Sequence, residues 1–231
     1  MIELKDLTDQ YLINALTDQD KAKEVIRLFY SHTIDLTSIS NGMSLDVLTD
    51  AQVCEILIKL LSATSSRQLI DLLSEDFSPF KIEKADICQF SNFDDCYYRV
   101  IDLAIRSGIE GISWDKMGFL LRVKPRTKVA DQKYGENHGK TAVQMGLCQM
   151  DNRHHFWPTA LGIYCNRLNK DIREELKSKF CLYIPIIQNY FAGGMDEEML
   201  QSYFSILTES TQKRRRPNIN HLIGIVKESL L

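Results

Sequence analysis

The chain has 231 residues, of which 44% are hydrophobic and 26% charged, and a formal net charge of −3. That length suits one large domain or two small ones, and the composition excludes a wholly disordered, collagenous or low-complexity chain. No apolar run approaches the roughly 20 residues that cross a bilayer; the longest candidate is CLYIPIIQNYF at 181–191, and the start, MIELKDLTDQ, has neither a basic region nor an apolar signal core. A cytoplasmic protein with no membrane contact is expected.

Helical spacing dominates the chain. A helix is expected over 17–31. Val53, Ile56, Leu57, Leu60 and Leu61 then form the apolar stripe of an amphipathic helix, with Thr49 and Gln52 as a capping box at its start. After a helix at 66–75, Tyr97, Val100, Ile101, Ala104 and Ile105 repeat the stripe, and Gly108 is placed to stop it. Helices follow at 113–121 and 136–145. The segment LCQMDNRHHFW, 147–157, departs from the pattern: the turn signal DNR divides two short runs with strand character, and Pro158 keeps the second from running into the next helix. Further helices are expected at 159–169, 172–191 and 196–206, and Ile219, Leu222, Ile223 and Val226 mark a last one.

The six cysteines, at 54, 88, 96, 148, 165 and 181, include no CxxC pair, so buried reduced thiols are expected rather than a zinc ribbon or redox motif. Charge is distributed unevenly. Residues 1–121 hold 11 Lys and Arg against 20 Asp and Glu, while 122–231 hold 17 against 11. Such asymmetry favours a polyanion surface on the second half, with the acidic half solvated or turned to a partner.

Helices at 97–107, 113–121 and 136–145 followed by a hairpin are the order of a winged helix-turn-helix. In that arrangement the third helix enters the major groove and the wing reaches toward the backbone or minor groove. The stretches GISWDKMGFLL and KYGENHGKTAVQMGLCQMDNRHHFWPTALG resemble the winged-helix modules of bacterial restriction-modification and phage-defence proteins, in which a helix ends in a GL pair and a short wing leads to a T-x-L-G helix start. TESTQKRRRPNINHLIGIV resembles the Ser-Thr, Arg-Arg end of such chains and would form a second helix-turn-helix. The resemblance covers about 93–228 and implies a mainly α protein of three parts: an acidic helical subdomain at 1–92, a winged helix-turn-helix at 93–170, and a C-terminal helical extension at 171–231.

Arg122, Lys124, Arg126, Lys128, Lys133 and Lys140 face only Asp131 and Glu136 in the interval 122–140, a cationic excess at the start of the expected recognition helix. Phosphates are held by such cations and by helix N-terminal amides. Asn137 and His138 are the candidates for base edges, and Asn137 also suits a helix cap. Arg153 and His154 in the wing, with His155, suit backbone or minor-groove contact. Lys213, Arg214, Arg215 and Arg216 form the densest cationic run, but helical spacing spreads them around the circumference, so two are expected at the DNA.

Other chemistries fit less well. GENHGKT lacks one of the four residues that separate the glycine from GK in a Walker A loop, so Gly135 and Gly139 read better as a helix start and a site of close packing. Adjacent His154 and His155 on a strand point to opposite faces, and no acidic or thiol cluster completes a metal site. Asp131 and Lys133 form a D-x-K pair resembling part of a restriction-nuclease site, but in a helical context. Arg27 and His32 form R-x4-H, resembling the motif of helical ribonucleases, where the apolar Leu28 departs from the usual polar neighbour. His32 reads as a helix-end residue satisfied by backbone, His221 as a surface residue, and Trp114, Met117, Phe119 and Leu120 as a core stripe with Trp114 packing the second helix on the first. The expected function is duplex DNA binding without a cofactor, as a regulator or as the DNA-recognition subunit of a bacterial defence system, working as a homodimer or in a heteromeric complex. The alternative is a protein–protein adaptor that uses the winged helix for assembly, and the third reading is a nuclease.

Overall fold

The computed structural model describes residues 2–3, 14–36, 46–122, 124 and 127–231, the side chains of 2–3 and 46–49 excepted. The described chain is mainly helical with small sheets. Helices α1 (Gln19–Tyr30), α2 (Asp46–Ala63) and α3 (Ser66–Ser74) form the first part, and Ile2–Glu3 (β1) pairs in parallel with Ile34–Asp35 (β2). Asp95–Arg99 winds as a π-helix into α4 (Val100–Arg106); then come β3 (Ile112–Ser113), α5 (Trp114–Leu121), α6 (Lys128–Gln144), β4 (Cys148–Met150) and β5 (His155–Pro158). Helices α7 (Ala160–Arg167), α8 (Lys170–Tyr183), α9 (Pro185–Phe191), α10 (Glu197–Phe204) and α11 (Glu209–Glu228) complete it. Among the described residues no helix is long and apolar enough to cross a membrane.

Several boundaries differ from expectation, each for a local reason. α2 starts at Asp46, so Thr49 falls within the helix instead of capping it, and its side chain lies outside the described residues. Pro185 has no amide hydrogen to continue α8, and the expected 172–191 helix is two helices meeting at Ile184. α6 starts eight residues earlier than its apolar pattern suggests, because the Thr127 hydroxyl accepts from Ala130 N–H and caps it there. Gly135 and Asn137 are therefore mid-helix, not at a helix start. Gly108, at φ +60°, does end α4 in the left-handed region.

The hairpin forms as expected, with Met150 opposite Phe156, but β5 also pairs on its other side with β3, giving the antiparallel order β3-β5-β4. Residues 112–113 are too short a strand for an alternating pattern to show. The Gly-Leu and T-x-L-G pairs close on each other. Gly146 leaves α6 at φ +72°, and the Thr159 hydroxyl donates to its carbonyl at 2.7 Å while accepting from Gly162 N–H at 3.0 Å. Thr159 N–H bonds Leu147 O at 3.1 Å. A Cβ on Gly162 would stand 2.0 Å from that same Leu147 oxygen, so the threonine and the glycine together seat α7 against the residue that precedes β4.

Among the described glycines, the tightest backbone contacts join α5 and α6. A Cβ on Gly118 would lie 1.7 Å from Asp131 O, and one on Gly135 1.8 Å from Trp114 O, so the two backbones touch where these glycines cross. One turn further, the ring of Phe156 occupies the space a Cβ on Gly139 would need. Met117 and Leu121 share the Gly118 side of α5 and are buried; Phe119 (57% exposed) and Leu120 (42%) face away, contrary to the expected core stripe.

The buried apolar side chains of all three expected parts form one continuous cluster. α8 runs through it with Leu176, Phe180, Cys181 and Leu182 fully covered, and packs against α2, α9 and α11. Polar seams join the first part to the last: Tyr30 Oη donates to Lys179 O at 2.9 Å, Lys179 Nζ to Leu61 O, and Ser66 meets Ser178 and Ser229. The segment TESTQKRRRPNINHLIGIV is a single helix, α11 with its Thr208 cap, whose Ile219, Leu222, Ile223 and Val226 are buried. All six cysteines are buried and free. Burial pushes the Cys88, Cys148 and Cys165 thiols up to about 12.

Two outcomes follow. Gly118→Ala or Gly135→Ala should lower stability by about 3 kcal/mol or more, since backbone cannot yield as a side chain does, whereas Gly224→Ala on α11, with nothing near its Cβ, should raise it by about 0.5 kcal/mol; urea midpoints compare them. A disulfide-exchange reagent near neutral pH should find none of the six thiols promptly in the native protein and all six in denaturant; prompt native titration of one thiol would contradict the burial.

Candidate nucleic-acid interface

An open cleft of about 710 Å³ lies beside α6, lined by the 89–92 loop, the π-helix, the end of α5, and Arg214 of α11. Arg122, Lys124, Lys133, Asn137 and Arg214, all expected DNA contacts, come together there. Arg99, which carried no signal in the sequence, joins them, as do Asp95 and Tyr134.

The floor is a closed polar network. Asp95, 3% exposed, accepts from Arg99 Nη1 and from Tyr134 Oη, both at 2.8 Å. Arg99 also donates to the carbonyls of Leu120 and Leu121, satisfying the C-terminal end of α5. Arg122 lies 4.6 Å from the Tyr134 ring centre and bonds the buried Asp131 at 2.9 Å. The Asp131–Lys133 pair does not act as a unit, because Asp131 faces inward to Arg122 and Lys133 outward to Glu136.

His138 is in the cleft lining, but its ring is buried rather than turned out to a groove. It is 1% exposed, its ring stacked on Tyr134 at 3.9 Å; Nδ1–H donates to Tyr134 O at 2.7 Å and Nε2 accepts from Ser91 N–H. Those two bonds define the neutral Nδ1–H tautomer. Burial lowers its pKa from the usual value, against the opposing pull of the Tyr134 carbonyl. Lys133 and Lys140 both bond Glu136, at 2.8 and 2.7 Å; burial works against that carboxyl's ionisation, but the two ammonium groups hold its pKa below the usual range. Lys124 and Lys128 are exposed, while Arg126 lies outside the described residues.

The cationic run divides around α11 as its spacing requires. Lys213 pairs with Glu209, Arg214 reaches the cleft, and Arg216 lies 5.5 Å from the Phe204 ring centre. Arg215 is an internal anchor, donating to Ile87 O at 2.8 Å and to Lys84 O, and is unsuited to DNA. In the β4–β5 hairpin, Arg153 is exposed on the turn, outside the cleft lining. His154, at φ +63°, is stacked on Trp114 at 3.8 Å and nearly parallel, so Trp114 anchors the hairpin rather than packing α5 on α4. Away from the cleft, Arg27 bonds Glu75, and His32 donates from Nε2 to Tyr183 O at 2.9 Å and stacks on the Tyr183 ring, consistent with a helix-end residue satisfied by backbone. Among the described residues no group of three His, Cys, Asp or Glu side chains is placed to hold a metal ion.

No family model, no curated protein and no solved structure matches this chain. The cleft's chemistry is therefore read from its own residues: an anion-accepting wall of cations over an internally satisfied floor, with the amides of Gln89, Asn92 and Asn137 along its lining.

His138 makes the cleft wall sensitive to acid. Its folded pKa is below the unfolded value of about 6.5, so above that pH both states are neutral and stability is complete; as pH falls through it the unfolded chain takes up a proton that the folded chain resists, and stability declines. Protonation also removes the acceptor for Ser91 N–H. His32, likewise lowered by burial, adds to the effect. Urea midpoints should fall from about pH 7.5 to about pH 5.5, more steeply in the wild type than in His138→Gln; equal slopes would remove His138 from the account.

Proposed function

We propose that the central segment is a winged helix-turn-helix and that the protein binds duplex DNA through the cleft beside α6, as a regulator or as the DNA-recognition subunit of a bacterial defence system. Three helices, a two-stranded wing, and a third strand beside the wing support the winged-helix reading. The observation that carries the DNA reading is the convergence of Arg122, Lys124 and Lys133 with Arg214, from segments some eighty residues or more apart in the chain, on one open cleft. Four cations from two distant segments on one open surface suit a phosphate backbone. Asn137, which shares the lining with Gln89 and Asn92, is the amide on α6 with the donor–acceptor pair that reads adenine.

Internal pairing limits how many cations serve. Arg122 is held by Asp131, and Lys133 and Lys140 share Glu136, so Lys124 and Arg214 are the principal phosphate ligands within the cleft, and Lys128 and Arg153, exposed outside its lining, extend the contact. A homodimer or heteromeric complex would double the contact. Part of the charge asymmetry is neutralised within the chain, as Lys177 of α8 pairs with Asp94 at 3.2 Å. The adaptor reading has an observation of its own: Phe119 and Leu120 stand exposed together on α5, a face that suits a protein partner.

Fluorescence anisotropy on duplex DNA at several salt concentrations tests the proposal. With about four phosphate contacts, log K should fall with log salt at a slope near −3.6; Lys124→Ala or Arg214→Ala should each flatten it by about 0.9 and weaken all sequences alike. Asn137→Ala should cost about 1–3 kcal/mol on a preferred site and leave the slope unchanged. Absence of wild-type binding at low salt, with a stable complex that Phe119→Ser disrupts, would favour the adaptor.

A further inference from the structure

Asn137 lines a concavity, whereas a helix that reads a major groove must stand out far enough to enter it. The 89–92 loop, the end of α5 and Arg214 of α11 share that lining with α6. The loop is not free to withdraw. Asn218 of α11 bonds the N–H and the carbonyl of Phe90, at 3.3 and 2.7 Å, and His138 Nε2 accepts from Ser91 N–H at 3.3 Å. The volume of about 710 Å³ is that of a small-molecule pocket rather than a flat contact face.

The lining offers what a single base needs. Gln89 of the loop and Asn137 of α6 are half-buried, and neither side chain hydrogen-bonds to another described residue. Each amide keeps a donor and an acceptor, the combination that recognises a base edge. Arg99 supplies a plane. Its guanidinium bonds Asp95 and the carbonyls of Leu120 and Leu121 through N–H groups that lie in that plane, and with its side chain 47% exposed a flat face is left toward the cleft. Bases removed from a helix stack on guanidinium faces as well as on aromatic rings. The Tyr134 ring is already covered by His138 and Arg122. Asp95, the acid in the lining, has both oxygens bonded, to Arg99 and Tyr134. Lys124 and Arg214 are exposed, and neither pairs with a carboxylate among the described residues, so both can meet phosphates.

We infer that the cleft holds an unpaired nucleotide extruded from the DNA, its base stacked on Arg99 and its edge between Gln89 and Asn137, while the flanking duplex lies across the mouth against Lys124 and Arg214. The inference deepens the DNA-binding reading and rests on it.

Fluorescence anisotropy of the full chain compares an intact duplex, the same duplex with one bulged adenosine, and the bulge-bearing strand alone. A bulged base gives up no pairing and less stacking when it enters the cleft, so the bulged duplex should bind about tenfold tighter than the intact one. Gln89→Met, which keeps the side-chain length, and Asn137→Ala should each abolish most of that advantage while leaving intact-duplex affinity and the salt slope unchanged. Lys124→Ala should weaken both duplexes alike and preserve the advantage. Equal affinity of the wild type for intact and bulged duplexes would overturn the inference and leave the DNA-binding reading standing, whereas no binding of any DNA would remove both. Tighter binding of the single strand than of the bulged duplex, or an undiminished advantage in both amide variants, would also overturn the inference.

Discussion

The contact between the backbones of α5 and α6 at Gly118 and Gly135 constrains the rest of the central segment. Because no side chain separates the helices there, Asp131 is brought under Arg122, and Tyr134 stands beside both Arg122 and the π-helix. Arg99 can then reach the free carbonyls at the end of α5 while bonding Asp95. A wider crossing would separate these groups by more than a hydrogen bond tolerates. The floor of the cleft is thus a consequence of two missing Cβ atoms, and its cations are arranged on a surface already satisfied from within.

The C-terminal helices serve as a frame for irregular segments of the first half. Asn189 of α9 holds the backbone of Phe80, and Asn218 of α11 holds that of Phe90 in the same manner, accepting from its N–H at 3.3 Å and donating to its carbonyl at 2.7 Å. Arg215 adds a second tie to the 84–87 stretch. The cleft beside α6 is bounded by a loop held in this way. Loops so fixed lose little further entropy on binding, which is the physical basis of a preorganised site. The same device explains why a dense cationic run contributes so unevenly: one residue ties a loop, one faces the cleft, one covers an aromatic ring and one pairs along its own helix.

Much of the fold was legible in the chain. Apolar spacing located the amphipathic helices because a helix buried on one side must repeat near 3.6 residues, and DNR marked the hairpin because a tight turn needs such residues. Thr159 and Gly162 were visible as a motif, though only the structure shows the threonine bridging two helices. Other features left no comparable signal. The first two turns of α6 lack an apolar stripe, since their inward face is filled by Asp131 and glycine backbone, and β3 is held by its neighbour rather than by its composition. Phe119 and Leu120 looked like core from their type, yet helix rotation about the Gly118 contact turns them outward.

Charge tells the same story at the candidate site. Residue type alone determined that the second half of the chain is cationic, that its cysteines have no metal-binding spacing, and that Asn137 lies among basic residues, because these are properties of composition and spacing. Tertiary structure decided which of those charges are available. His138 and Arg215 were drawn inward, and Lys133 and Lys140 were set on a shared carboxylate, because burial and pairing depend on what distant segments bring within about 3 Å. It also brought together groups without mutual signal in the sequence, Asp95 with Tyr134 and Arg99 with the end of α5, since a hydrogen-bond partner is a property of the packed chain and not of any short stretch of it.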